Sequence, residues 1–193
     1  MIKNIVLDVG GVILDDSAFT KARDNLDVTK LRENKVSFSK CLLGKMEVAE
    51  CINILRRLGK EYEEYATVLS PENYEKNLPV INETVELMYK LKEQGYKIYI
   101  FSNITQPTLE YLKKKVDIEN LVDDMVCSHI EHFMKPDVKF YERLIQKLNL
   151  NKNETIFFDD KPSNVDAAKS LGMQAVVFTN INDVLNALSL NYG

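Results

Sequence analysis

From Pro79 onwards the chain alternates between two periodicities, and nothing else in it restricts the fold so strongly. The runs "KIYIFSN", "DMVCSH", "ETIFFDD" and "QAVVFT" are short and rich in β-branched or aromatic residues, as strands are, and polar turn residues bound them. Between them lie segments of helical period. "NETVELMYKLKEQG" places Val85, Leu87, Met88 and Leu91 at helical spacings, and Gly95 closes it. "QPTLEYLKKKV" carries Pro107 in its first turn, and "PDVKFYERLIQKL" carries Pro136 near its start. "PSNVDAAKSLG" and "INDVLNAL" are the remaining helices. Strand, helix, strand in this order requires right-handed crossovers and a parallel sheet covered on both faces. The near-continuous apolar strands fit that burial.

The start of the chain adds one more strand, Ile5, Val6 and Leu7, which ends at Asp8 because Gly10 and Gly11 follow at once. The stretch from about Ser17 to Leu78 is different. It holds no convincing strand. "KMEVAECINILRRLG" is an amphipathic helix with Val48, Cys51, Ile52 and Leu55 on one face, and "FTKARDNL" and "YEEYATVL" are weaker helices. The expected class is therefore α/β, a Rossmann-like parallel sheet core with a small helical cap inserted after the first strand. The expected boundaries are residues 1–14 and 80–193 for the core and 15–79 for the cap. An insert at that point sits over the carboxyl end of the sheet, where open α/β sheets bind ligands, so it is placed to act as a lid.

Composition excludes several functions. A 193-residue chain that is 45% hydrophobic can bury a real core, and a net charge of −4 gives no general pull towards nucleic acid or anionic lipid. Cys41, Cys51 and Cys127 form no CxxC pair, so they read as reduced, buried thiols rather than a disulfide framework or zinc site. The apolar run in "MIKNIVLDVGG" is too short for a signal peptide, and no segment approaches the ~18–20 apolar residues of a membrane span. The expectation is a cytoplasmic protein with neither nucleic-acid nor membrane partners. Its oligomeric state is left open.

The strand ends carry the chemistry. Asp8 ends the first strand, Ser102 and Asn103 the second, and Asp159 and Asp160 the fourth, while Lys135 follows the third after a short loop. In a parallel sheet these ends share one edge. Clustered carboxylates repel, so together they favour a hard cation with oxygen ligands, of which Mg²⁺ is the common choice. A cation, an ammonium, a hydroxyl and loop N–H groups make a phosphate site. Each residue alone has a plainer explanation. Asp8 could cap a turn, Ser102 and Asn103 could cap the helix at Gln106, and Lys135 could be a surface lysine. His129 and His132, flanking Glu131, read as solvated loop residues, and Lys113 to Lys115 as a solvated helix end.

Taken together and in register, "DVGGV", "SN", "KP" and "DD" resemble the four motifs of the haloacid dehalogenase superfamily, in its cap-bearing phosphatase branch. The resemblance covers essentially the whole chain. It implies that Asp8 is the nucleophile, forming an aspartyl-phosphate, and also a Mg²⁺ ligand. It implies a backbone carbonyl ligand from Gly10, a phosphate contact from the Ser102 hydroxyl and another from the Asn103 N–H. Lys135 would neutralise Asp8 and the phosphate. Asp160 would bind the metal directly, with Asp159 beside it or acting through water, and Asn164 would stand at the edge of the metal site.

One residue departs from that pattern. Many members have Asp where this chain has Gly10, and that Asp protonates the leaving group and then activates water. General acid–base help is typically worth ~10²–10⁴-fold. Some phosphatases of this branch acting on hexose phosphates are similar in carrying Gly here. The favoured substrate is thus a small phosphorylated metabolite, in particular a sugar phosphate, with Asp15 or Asp16 as a stand-in base. Two alternatives stay open: a catalytically weak protein that binds a phospho-ligand or a partner, and a 2-haloacid dehalogenase, whose halide leaves without a proton. Asp159 and Asp160 count against the dehalogenase, because uncompensated carboxylates would repel its anionic substrate.

Overall fold

The computed structural model describes residues 1–24, 26–33 and 37–189. Strand β1 (Asn4–Leu7) is followed by the helices α1 (Ser17–Asp24), α2 (Val28–Glu33), α3 (Phe38–Leu42), α4 (Val48–Leu58), α5 (Glu63–Leu69) and α6 (Tyr74–Asn77). The alternation then begins, with α7 (Asn82–Glu93), β2 (Lys97–Ser102), α8 (Gln106–Lys115), α9 (Ile118–Leu121) and β3 (Asp124–Cys127). It continues through α10 (Ser128–Glu131), α11 (Val138–Lys147), β4 (Thr155–Asp159), α12 (Pro162–Ser170), β5 (Gln174–Val177) and α13 (Ile181–Leu188). The strand and helix assignments read from the sequence after Pro79 agree with these elements to within a few residues. The four-residue helices α6, α9 and α10 escape sequence reading because one turn is too short to show a period.

All five strands are parallel, in the order β3-β2-β1-β4-β5. Chain direction across the sheet reverses between β1 and β4, and such a switch point opens a crevice at the carboxyl ends. The register aims side chains into it. Leu7 pairs with Ile100 on β2 and with Phe158 on β4, so Asp8 and Asp159 follow as neighbours across the switch point.

Successive strand residues point to opposite faces, and the core is split accordingly. Ile5, Leu7, Ile100 and Phe158 pack with Met88 and Leu91 of α7 and with Leu112 of α8. Val6, Phe101 and Phe157 pack on the other face with Phe140, Tyr141 and Leu144 of α11. There the Phe101 ring lies 4.4 Å from Phe140 and 4.9 Å from Tyr141, between centroids. A third cluster belongs to the helices between β1 and α7. Val48, Cys51 and Leu55 of α4 pack there against Tyr65, Ala66 and Leu69 of α5. The three cysteines are free and buried. Among the described residues no helix is long and apolar enough to cross a membrane.

The chain leaves and re-enters the sheet region through one narrow neck. Leu14 and Val80 form an antiparallel bridge, Asp15 N donates to Pro79 O at 2.9 Å, and Ile81 N donates to Ile13 O at 2.8 Å. Further ties hold the inserted helices down. The Ser128 hydroxyl donates to Leu42 O at 2.5 Å, His132 Nδ1 donates to Leu43 O at 2.8 Å, and Lys115 pairs with Glu75. The sequence reading of His129 as a solvated loop residue is therefore corrected, while His132 is exposed and lies just past a helix end, as read. His129 lies in α10, half-buried, with Nδ1 donating to Ile104 O at 2.9 Å, and His132 caps that helix against α3. Lys115 likewise does more than solvate a helix end.

Phe140 is fully buried in the aromatic cluster. Phe140→Ala should cost about 3–5 kcal/mol of stability, read from urea unfolding. A loss below about 1 kcal/mol would show that α11 does not depend on this packing.

Candidate active site

The site is built around an ammonium group that is almost completely out of water. Lys135 is 2% exposed. Its Nζ donates to Asp159 Oδ2 at 2.5 Å and to Phe101 O at 2.8 Å, and it stands 2.9 Å from Asp8 Oδ1. The rings of Phe101 and Phe157 lie 5.3 and 5.2 Å from it. An ammonium has three protons, and here each has a partner in the protein. Its charge reaches a ligand beside Asp8, but its protons are engaged. The Asn103 side chain fixes the same residue from behind. Its Nδ2 donates to Lys135 O at 2.9 Å, and its Oδ1 accepts from Lys135 N at 2.8 Å. That explains the amide at this strand end by a role the sequence does not show.

The two carboxylates that share Lys135 are in opposite electrostatic states. Burial pushes Asp8 up to about 7, with Lys135 opposing and Asp159 adding to the rise. The Val9 N–H donates to Asp8 Oδ1 at 2.7 Å, and the nearby Ser102 hydroxyl opposes the rise. Burial would raise Asp159 too, but Lys135 overrides it, and so do hydrogen bonds from Lys161 N and Asn164 Nδ2. Asp159 is held below the ordinary carboxylate range. Asn164 Nδ2 reaches both Asp159 oxygens, at 2.8 and 3.0 Å. Asn164 thus orients a carboxylate.

Asp160 is the opposite of saturated. Its Oδ1 is buried without a hydrogen-bond partner, and Lys161 Nζ stands 3.6 Å away. Burial raises its carboxyl, with Lys161 opposing. One oxygen each of Asp8, Asp159 and Asp160 lies within 4.8 Å of the others. A buried acceptor left unpaired is costly, and one beside two further carboxylates fits a hard divalent cation. The donor set therefore fits Mg²⁺. Gly11 lets the β1 loop come this close. It has φ +71°, and a Cβ there would lie 2.7 Å from Asp160 Cγ.

Gly10 is explained by a different neighbour. A Cβ on Gly10 would lie 2.8 Å from Asp16 Oδ2, so the Asp16 carboxyl fills the space a side chain at position 10 would need. Burial raises the Asp16 carboxyl, against the nearby Lys161. Asp15 is elsewhere: its Oδ1 accepts from Ser17 N at 2.9 Å and caps α1. Lys161 is a residue that sequence reading missed. Its side chain is 46% exposed, and its ammonium is held charged by Asp8, Asp160 and Asp16 even though burial pulls the other way. Its place directly after the paired aspartates was the only available signal.

A cavity of about 510 Å³ extends from Asp16, Asn103 and Lys161 into the inserted helices.

A family model described as haloacid dehalogenase-like hydrolase matches residues 2–172. A sesquiterpene phosphatase of Aspergillus oryzae is 28% identical over 179 residues, which is 92% of this chain and 90% of that protein. A D-ribitol-5-phosphate phosphatase of Bacteroides thetaiotaomicron is 28% identical over 194 residues, 90% of each chain. In fold, the chain is similar to a variant of an HAD family enzyme from B. thetaiotaomicron, crystallised with magnesium and inorganic phosphate. The TM-score is 0.71 at 20% identity, covering 92% of this chain and 94% of that one.

Asp8 makes the metal-free protein sensitive to pH. The unfolded chain releases the Asp8 proton near pH 4 and the folded chain near 7, so between these values the folded state holds more protons. Stability from this group is present below about pH 4 and is lost as pH rises through about 7. Urea unfolding in chelator should show Asp8→Asn losing less stability than wild type between about pH 4.5 and about pH 7.5. Equal losses would show that Asp8 does not carry the raised pKa.

Proposed function

Because the chain belongs to the haloacid dehalogenase-like hydrolases, we propose that it is a Mg²⁺-dependent phosphatase that hydrolyses a small phosphorylated metabolite through an aspartyl-phosphate on Asp8. The observation that carries this reading is the buried, unpartnered Oδ1 of Asp160 in a cluster with Asp8 and Asp159. A dehalogenase has no use for a buried carboxyl oxygen that accepts no hydrogen bond beside its nucleophile. The two curated relatives described above are both named as phosphatases, one for a sesquiterpene and one for ribitol 5-phosphate. They support the reaction, and they differ in the body of the substrate. A sugar phosphate is the substrate that the resemblance of the Asp8-Val9-Gly10 motif favours.

In this proposal residues 1–14 and 80–193 are the core domain and 15–79 the cap, and the reduced thiols suit the cytoplasm. Asp8, Asp160 and the Gly10 carbonyl would hold Mg²⁺, with Asp159 orienting the group next to it. Bound there, the cation supplies charge stabilisation for the transferring phosphoryl group and offsets its repulsion from Asp8. Lys135 and the Val9 N–H fix Asp8 Oδ1, so the nucleophile is oriented before substrate arrives. The Ser102 hydroxyl and the Asn103 N–H contact phosphate oxygens. Lys161, half-exposed, brings the positive charge that Lys135 cannot offer as hydrogen bonds. Asp16 Oδ2 gives a proton to the leaving oxygen and later takes one from the water that clears the aspartyl-phosphate. That removes the main motive for the binding-protein reading, which rested on Gly10 leaving the site without an acid.

Asp8→Asn should lower phosphate release by at least about a thousandfold with the fold intact, and chelator should abolish release until Mg²⁺ is restored. Activity within tenfold of wild type, or full turnover in chelator, would overturn the assignment. Asp16→Asn should lower kcat by about 10²–10⁴-fold. Asp15→Asn should stay within about threefold of wild type, because its carboxylate caps a helix. Equal effects of the two substitutions would remove Asp16 from the proton path.

A further inference from the structure

The cavity beside Asp8 has two chemically different ends. Its floor on the sheet edge is polar and charged, with Asp16, Asn103, Lys161 and Asn164. Its far end reaches Cys51, Leu55 and Tyr65, which are 1%, 0% and 6% exposed and belong to the core of the inserted helices. Phe19, Leu31 and Phe38 line the passage between, and the Phe38 ring meets Tyr65 edge-on at 6.3 Å. Among the described residues, the polar side chains of the inserted helices that line the cavity are Thr20 and Ser39, which are half-buried, and three more at the rim. Arg23, Arg32 and Ser37 are exposed, the Arg23 guanidinium is paired with Asp24, and the Ser37 hydroxyl already accepts from Ser39 N.

Thr20 and Ser39 offer a sugar body few partners, and its remaining hydroxyls would lie against apolar walls, which costs free energy for each one buried without a hydrogen bond. A hydrocarbon chain would gain from every methylene it takes out of water. The volume of about 510 Å³ lies within the range of small-molecule sites and exceeds what a phosphate alone requires. From the contrast between a charged floor and an apolar roof, we infer that the substrate is a phosphate monoester of an apolar, chain-like alcohol, with the phosphate at the sheet edge and the chain in the cap. This rests on the phosphatase reading for the reaction, but the chain-binding half stands on the cavity alone. It replaces the sugar body with a hydrocarbon one.

Alkylphosphonates test it without relying on turnover, since their carbon–phosphorus bond is not cleaved. Ethyl-, butyl-, hexyl-, octyl- and decylphosphonate are titrated into the wild-type protein with Mg²⁺ by calorimetry, below their micelle concentrations. Affinity should rise about three- to fourfold per added methylene until the cavity is filled. Leu31→Gln and Phe38→Gln, at half-buried positions, should each flatten that rise, with melting temperature reporting that the variants are folded. An affinity independent of chain length in the wild-type protein, or a rise that both folded variants leave unchanged, overturns the inference. Phosphate release from octyl phosphate and p-nitrophenyl phosphate is measured beside it. A steep ladder without any release would overturn the phosphatase reading and keep the apolar chamber. Release with a flat ladder would do the reverse.

Discussion

A buried ammonium joins three neighbouring strands of this sheet. Lys135 takes an oxygen from the end of β1, a backbone carbonyl from β2 and a carboxylate from the end of β4. Breaking a buried pair by removing one member is strongly destabilising, because the remaining charge is left without a partner, typically by 3–5 kcal/mol or about that order. The contact that holds the sheet edge together is therefore also the contact that positions Asp8. Asn103 extends the arrangement by gripping the Lys135 backbone in both directions, so the strand end on β2 and the loop after β3 move as one. Chemistry and fold are not separate layers here.

The same ammonium divides labour among the carboxylates. Asp159 receives the shortest bond from Lys135 and further hydrogen bonds from Lys161 N and Asn164, so it is ionised, saturated and fixed. Asp8 shares the ammonium but has fewer donors for its burial, and its proton is held much more tightly. Asp160, one residue beyond the strand, escapes the network and keeps a bare oxygen. Three identical functional groups acquire three distinct states from their surroundings alone, which is how environment assigns roles in sites of this kind.

Much of this architecture is legible in the amino-acid order. Parallel strands buried on both faces must be apolar throughout, so "KIYIFSN" and "ETIFFDD" stand out, and the residues that end them must share an edge. What could not be read was how the irregular segments bring side chains together. Asp16 follows Gly10 by six positions, and only the tight bend of the β1 loop turns its carboxyl back over that glycine. Lys161 was hidden among ordinary lysines because its importance comes from facing three carboxylates. His129 read as a loop residue because a single helical turn has no periodicity, and the carbonyl partners of His129 and His132 lie 25 and 89 positions away. The hydrophobic cluster of the inserted helices was half visible, in the stripe of α4, but a stripe does not distinguish a closed core from the wall of a chamber.

The neck at Leu14 and Val80 has a consequence of another kind. The inserted helices depart and return through adjacent, hydrogen-bonded chain ends, and they carry a hydrophobic cluster of their own. Joining two points that already touch costs a loop of any length little more than a short one, since closure entropy grows only with the logarithm of length. Lineages of such a protein can therefore lengthen, shorten or replace the insert without redrawing the sheet. The size of the insert is thus uncoupled from the strand order and from the placement of the aspartates and the buried lysine.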